Sequence, residues 1–154
     1  MTWRDGALEV VERERCVATI RRHVFIGCPA DTAWALVGDP SSVTRWFPRM
    51  EQVEVDGDRR RITLASGIVL DEELVTIRDD LRRLQYRLLG PLPVEHHLAT
   101  IDVLEDGADR CVAVYSTDVV PHALAFILDG AVGDALDTLA ELLQPAAATT
   151  RERT

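Results

Sequence analysis

The chain has 154 residues, 47% apolar and 28% charged, enough for one domain that buries roughly two-thirds of its extended surface. Its formal charge is -9, with 17 arginines and no lysine, which speaks against binding to phosphate backbones or anionic lipid. No apolar run approaches the roughly 20 residues that span a bilayer, and Met1–Gly6 lacks the apolar centre of a signal peptide, so a cytoplasmic location without membrane insertion is expected.

Residues 1–11 read as a flexible arm, 12–144 as the domain and 145–154 as a disordered tail. From Cys16 to Ile26, apolar side chains at Cys16, Ala18, Ile20, Val24 and Ile26 recur at every second position, the pattern of a strand with one buried face. Pro29 stops it. A short helix starts at Ala30 or Asp31, with Ala33, Trp34, Leu36 and Val37 as its buried side. Gly38 and Asp39-Pro40 end that helix, because glycine tolerates the left-handed cap and proline disfavours helix just before it. Ser41 or Ser42 is the expected N-cap of a second short helix reaching Trp46.

Strand signals then repeat. Gln52–Val55 and Arg60–Ala65 flank Asp56-Gly57-Asp58, a good hairpin turn, and Ile68–Ile77 follows Ser66-Gly67. Leu84, Tyr86 and Leu88 alternate with Arg83, Gln85 and Arg87 until Gly90-Pro91-Leu92-Pro93 breaks the run. His97, Ala99, Ile101 and Val103 alternate with polar or outward neighbours, and Arg110–Val119 makes a last strand before Pro121. Arg59-Arg60-Arg61 and Arg82-Arg83 read as solvated charges at hairpin ends. From His122 to Gln144 the period becomes helical, with Leu124, Leu128, Ala131, Ala135, Leu139 and Leu142 as an apolar stripe. Gly130 and Gly133 make this helix thin, so it either packs very close to the sheet or leaves volume beneath itself.

The order predicts an α+β fold: a curved antiparallel sheet of about seven strands wrapped around a long C-terminal helix, with two short helices after the first strand. One helix cannot fill the concave side, so a cavity is expected. Ile26–Trp34, Asp39-Pro40, Trp46-Phe47-Pro48, Gly67 with Glu72, and Asp118–Pro121 carry a resemblance to the SRPBCC superfamily, in its polyketide cyclase/dehydrase and lipid-transport branch. The match covers residues 16–144. It implies the helix-grip fold of START domains and birch-pollen allergens, with a pocket between the final helix and the sheet. Members of the superfamily include ligand carriers, cyclases and aromatases, and quinone-binding proteins.

Alternation nominates the lining of that pocket. Leu84 and Tyr86 share one inward face, and His97 and Ala99 share the next. Glu72, at the acidic position that the resemblance places after Gly67, is expected inward with Leu70 and Leu74, and Leu124 and Leu128 face it from the helix. Trp46 is placed near the pocket mouth. On the last strand the pattern leaves open whether Tyr115, Thr117 and Val119 point inward or Val114, Ser116 and Asp118 do; Tyr115 is carried as a ligand contact. Asp118 is expected to cap the final helix region. Glu72, His97 and Tyr86 would set an acid, a base and a phenol in an apolar chamber, able to orient a ligand's polar end or move protons in a cyclisation or dehydration. The plainer alternatives are a Glu72 paired with an arginine of a neighbouring strand and a His97 satisfied by the fold.

Cys16, Cys28 and Cys111 have no CxxC spacing and read as small core residues, and four scattered histidines make no metal set. With HExxH, P-loop, GxGxxG and GxSxG motifs missing, no metal or cofactor is expected. The function read from these features is binding of a small hydrophobic molecule (lipid, polyketide or isoprenoid) as a carrier or sensor. A polyketide cyclase or dehydratase and a protein-interaction module are the alternatives; oligomeric state is not legible.

Overall fold

The computed structural model describes residues 16–145, so the expected arm at 1–11 and nearly all of the tail lie outside the described residues. Side-chain alternation sets the first strand, β1 (Ala18–Ile26), in which Ile20 and Ile26 are buried while Arg21 and Phe25 face water. Helix α1 (Ala30–Val37) follows Pro29 and buries Ala30, Ala33, Trp34, Leu36 and Val37. The Trp34 indole lies across Gly38, where a Cβ would stand 2.6 Å from Trp34 Cε2, so the position needs glycine for space rather than for φ. Asp39 does the capping expected of a serine: its Oδ1 accepts from the Ser41 N–H at 2.9 Å and opens a 3-10 turn, Pro40–Ser42, that runs into α2 (Val43–Trp46). Ser42 instead donates its hydroxyl to the carbonyls of Leu36 and Asp39, because its backbone is already helical.

Six strands complete the sheet: β2 (Met50–Asp56), β3 (Arg59–Leu64), β4 (Val69–Arg78), β5 (Arg83–Gly90), β6 (His96–Glu105) and β7 (Cys111–Val120). A 3-10 turn, His122–Leu124, leads into α3 (Ala125–Leu143). The spatial order is β1-β7-β6-β5-β4-β3-β2, every pair antiparallel. Strands β1 and β2 are neighbours in sequence yet form opposite edges, so α1 and α2 must bridge the curved sheet between them. Accordingly α1 packs on β6 and β7, α2 on β2 and α3, and α3 chiefly on β1. The seven strands and the gripped C-terminal helix are the predicted architecture.

The two sheet faces differ as alternation requires. Outward positions carry cross-strand ion pairs, Arg61–Asp71 at 2.8 Å, Arg83–Asp102 at 2.7 Å and Arg87–Glu73. Inward positions bury Ile62, Leu70, Leu74, Leu84, Ala99, Ile101, Ala113 and Val119. Cys28 and Cys111 belong to this core, whereas Cys16 is exposed, contrary to the core reading, because it precedes β1 and has no sheet partner to cover it.

Helix α3 departs from its predicted stripe. It buries Val132, Ala135, Leu136, Leu139 and Ala140; Leu142 is exposed and Leu124, Leu128 and Ala131 are half-buried. A period of 3.6 permits two stripes sharing Ala135 and Leu139, and docking on β1 selects the one through Val132 and Leu136. The thin centre serves both anticipated purposes. Arg22 of β1 lies along Gly133, where a Cβ would meet its side chain at 3.6 Å, and reaches Asp129 with two hydrogen bonds of 2.7 and 2.5 Å. Gly130 has nothing within 4 Å of its missing Cβ and leaves space.

Candidate functional site

The β3–β4 turn fixes the site. Gly67 takes φ +86 in the turn that joins Leu64 to Ile68, and the resulting register sets Arg60 opposite Glu72 and Ile62 opposite Leu70. Arg60 therefore shares the inward face of Ile62. It is 3% exposed and Glu72 2%, a correction to the reading of all three hairpin arginines as solvated; Arg59 and Arg61 are indeed exposed. Arg60 Nε and one terminal nitrogen both donate to Glu72 Oε2 at 2.7 Å, and its other terminal nitrogen donates to the Pro40 carbonyl at 3.3 Å. A cation at this depth requires such partners, because desolvation costs several kcal/mol per ion.

The polar cluster continues along the concave face. The Arg60 guanidinium sits 4.9 Å from the Tyr86 ring centroid, a cation–π distance. The Tyr86 and Tyr115 hydroxyls are hydrogen-bonded to each other. The Tyr115 ring in turn lies 6.5 Å from both Trp46 and Phe47. On the other side, the His97 ring is 5.7 Å from that of Tyr86, and His97 Nδ1 accepts the Leu88 backbone N–H at 3.2 Å. An accepting Nδ1 puts the proton of a neutral imidazole on Nε2.

Of the sequence candidates, Leu70, Glu72, Leu74, Leu84, Tyr86, His97, Ala99 and Tyr115 are all buried on inward strand positions. The face left open on β7 is settled: Tyr115, Thr117 and Val119 are inward. Asp118 points the other way and accepts the Thr19 hydroxyl at 2.6 Å, so it joins β7 to β1 instead of capping a helix. Trp46 is 3% exposed, inside the core rather than at its rim, and its Nε1 has no partner among the described residues. Leu124 and Leu128 sit half-buried at the start of the C-terminal helical segment. Arg60 is the neighbouring-strand arginine that the plainer reading of Glu72 called for, although the sequence did not single it out among the hairpin arginines. Its signal was the alternation with Ile62 across from an inward acid.

Burial dominates the electrostatics. It pushes the Glu72 carboxyl above its ordinary value, with the charge and hydrogen bonds of Arg60 opposing. It pushes the Tyr86 and Tyr115 phenols up as well, helped for Tyr86 by the Glu72 charge and for Tyr115 by its neighbour Tyr86. It pushes the His97 imidazole down to about 4, with His96 adding to the effect. At neutral pH the cluster thus holds two protonated phenols and a neutral imidazole beside the Arg60–Glu72 pair.

Several hollows surround this core. One of about 340 Å³ lies between the loop after α2 and α3, where Phe47, Pro48, Phe126, Ile127, Gly130 and Ala131 meet. Phe126 and Ile127 there are 89% and 72% exposed. A larger one, about 650 Å³, opens among the outward charges Glu54, Arg59, Arg61 and Asp71, and the inward pair Arg60 and Glu72 also lines it. Among the described residues no group of three or more His, Cys, Asp or Glu side chains could hold a metal ion, and no helix is long and apolar enough to cross a membrane.

The family model for polyketide cyclase / dehydrase and lipid transport matches residues 17–146. No curated protein matches the chain significantly. Among solved structures, the protein XoxI from Bacillus cereus superposes with a TM-score of 0.78 at 22% identity, over 82% of this chain and 95% of that one. A protein from Thermobifida fusca gives 0.70 at 29% identity, over 81% and 92%. Norcoclaurine synthase from Thalictrum flavum, in complex with dopamine and hydroxybenzaldehyde, gives 0.65 at 20% identity, over 82% and 86%. These likenesses establish a shared fold. The family match over most of the length, on a curved seven-stranded sheet that grips its last helix, makes the chain a member of the polyketide cyclase/dehydrase and lipid-transport family.

Proposed function

We propose that the protein binds a small hydrophobic molecule with an oxygen-bearing polar end, as a carrier or sensor and not as a catalyst. The Arg60–Glu72 pair carries this reading. A general acid or base must exchange its proton with the substrate, and Glu72 is instead engaged by a guanidinium that does not deprotonate. The phenols are pushed further from neutrality, and His97 Nδ1 is occupied by a backbone N–H. What the interior offers is hydrogen-bond donation. Two hydroxyls share one bond, so one O–H is left over, and the Trp46 Nε1–H is unclaimed among the described residues. Donors in apolar surroundings favour a ligand with carbonyl, quinone or ester oxygens. Leu70, Leu74, Leu84, Ala99, Leu124 and Leu128 would contact its apolar body. Small aromatic molecules bound by norcoclaurine synthase on the same fold support the scale of ligand.

Native mass spectrometry of the protein purified from its own host tests the proposal by identifying what co-purifies. With that ligand in hand, Glu72→Gln, which preserves an acceptor for Arg60, should hold affinity within about tenfold, roughly 1.4 kcal/mol. Chemical conversion of the ligand that Glu72→Gln abolishes, with binding intact, would instead establish a cyclase or dehydratase.

A further inference from the structure

Strands β5 and β6 are eight and ten residues long, yet their ladder has only four pairs, Arg83↔Asp102 to Tyr86↔Ala99. Beyond Tyr86 the strands separate although neither is frayed. Leu88 and Arg87 are still paired with Glu72 and Glu73 of β4, and His96, His97 and Leu98 with Val120, Val119 and Asp118 of β7. The result is a fork with two firm lips. A hollow of about 300 Å³ occupies it, lined by outward residues such as Val75, Arg87 and Leu98 and also by the inward pair Leu88 and His97. Walls drawn from both faces mean that the hollow cuts into the thickness of the sheet. A side chain bridges the lips where a main-chain carbonyl would serve in a closed ladder: His97 Nδ1 accepts the Leu88 N–H at 3.2 Å. Behind that imidazole stands Tyr86, ring to ring at 5.7 Å, and then Tyr115.

We infer that the β5–β6 fork is a side entrance to the concave interior, separate from the hollow beside α3, and that His97 is the residue that closes it. The walls formed by Val75, Leu88, Val94 and Leu98 suit a flat apolar molecule, while the polar rim is outward: Arg87, paired with Glu73, and Glu95 and His96. The use of the entrance by a ligand rests on the binding role proposed above; the opening itself does not, and it can be tested without a ligand.

The chain has only two tyrosines, both behind His97, and no lysine, so O-acetylation by N-acetylimidazole, read by peptide mass spectrometry, reports access to Tyr86 and Tyr115. His97→Ala should acetylate at Tyr86 at least tenfold faster than the native chain, with Tyr115 lagging. Arg87→Cys with Leu98→Cys places thiols where the ladder would continue; oxidised in the His97→Ala background, this staple should return the Tyr86 rate to the native level, and reduction should release it. Equal Tyr86 rates in native and folded His97→Ala protein, or an acceleration indifferent to the staple, overturn the inference. If His97→Ala does not fold, the staple in the otherwise native chain decides: it should slow Tyr86 acetylation at least threefold, and an unchanged rate sinks the entrance. Loss of the binding role would show separately, as protein with no co-purified ligand, and would leave the tyrosine result standing.

Discussion

Arg60 and Glu72 are unequal partners, and their inequality is measurable. A guanidinium cannot shed its charge, whereas a carboxyl whose proton affinity burial has already raised can take up a proton when its partner is lost. Glu72→Leu should therefore cost about 3–5 kcal/mol, the price of an uncompensated buried cation. Arg60→Met should cost less, about 1–2 kcal/mol at pH 7, with the loss shrinking as pH falls and Glu72 becomes neutral. The double replacement should lie within about 1 kcal/mol of the native chain or above it. Urea denaturation at pH 7 and 5 measures all three, and equal costs for the two single changes would contradict the assignment. Glu72's inward direction was expected from the resemblance, which puts an acid at that position after Gly67; alternation alone set Leu70, Glu72 and Leu74 on one face and Val69, Asp71, Glu73 and Val75 on the other. The burial of Arg60 was not legible, since two flanking exposed arginines give it the look of a hairpin end, and only the register across β3 and β4 reveals its partner.

At the level of elements, glycine positions separate crowding from flexibility. Gly38→Ala would put a Cβ 2.6 Å from Trp34 Cε2 and 2.9 Å from the Trp34 carbonyl oxygen. The indole is held by its bond to Asp79 at 2.9 Å and cannot swing away freely, so the change should cost about 1–3 kcal/mol. Gly130→Ala meets open space on α3 and should stabilise by up to about 1 kcal/mol through helix propensity. Thermal denaturation of the two variants should show shifts of opposite sign; a destabilised Gly130→Ala would mean that the gap beside α3 is occupied. The existence of α3 was plain from its period. Its buried stripe was not, because two stripes fit the same sequence and the choice belongs to β1, over a hundred residues earlier.

For the whole molecule, pH is the informative variable. His97 titrates near 4 in the folded chain against about 6.5 unfolded, so between these values the unfolded chain binds a proton that the folded chain refuses. Its contribution to stability is full above pH 6.5 and falls as pH falls through that window, by about 3 kcal/mol at pH 4. Surface carboxylates held down by arginines, such as Glu73, Asp80 and Asp129, lose their own contribution at still lower pH, but equally in any His97 variant. His97→Gln can still accept the Leu88 N–H. Its stability curve should be flatter than the native one from pH 6.5 to 4 and parallel above pH 7; curves parallel throughout would show that His97 protonates freely in the folded state.

The sequence by itself determined the order and number of the elements and which side chains share a face: Leu70, Glu72 and Leu74, Leu84 and Tyr86, and His97, Ala99 and Ile101. These follow from two-residue and 3.6-residue periods, which are local steric facts. Tertiary structure decided which faces of β4 and β7 turn inward, that Arg60 is buried, which stripe of α3 docks and where the β5–β6 ladder opens. Each of these depends on register or docking between segments distant in sequence, and no local pattern encodes a register.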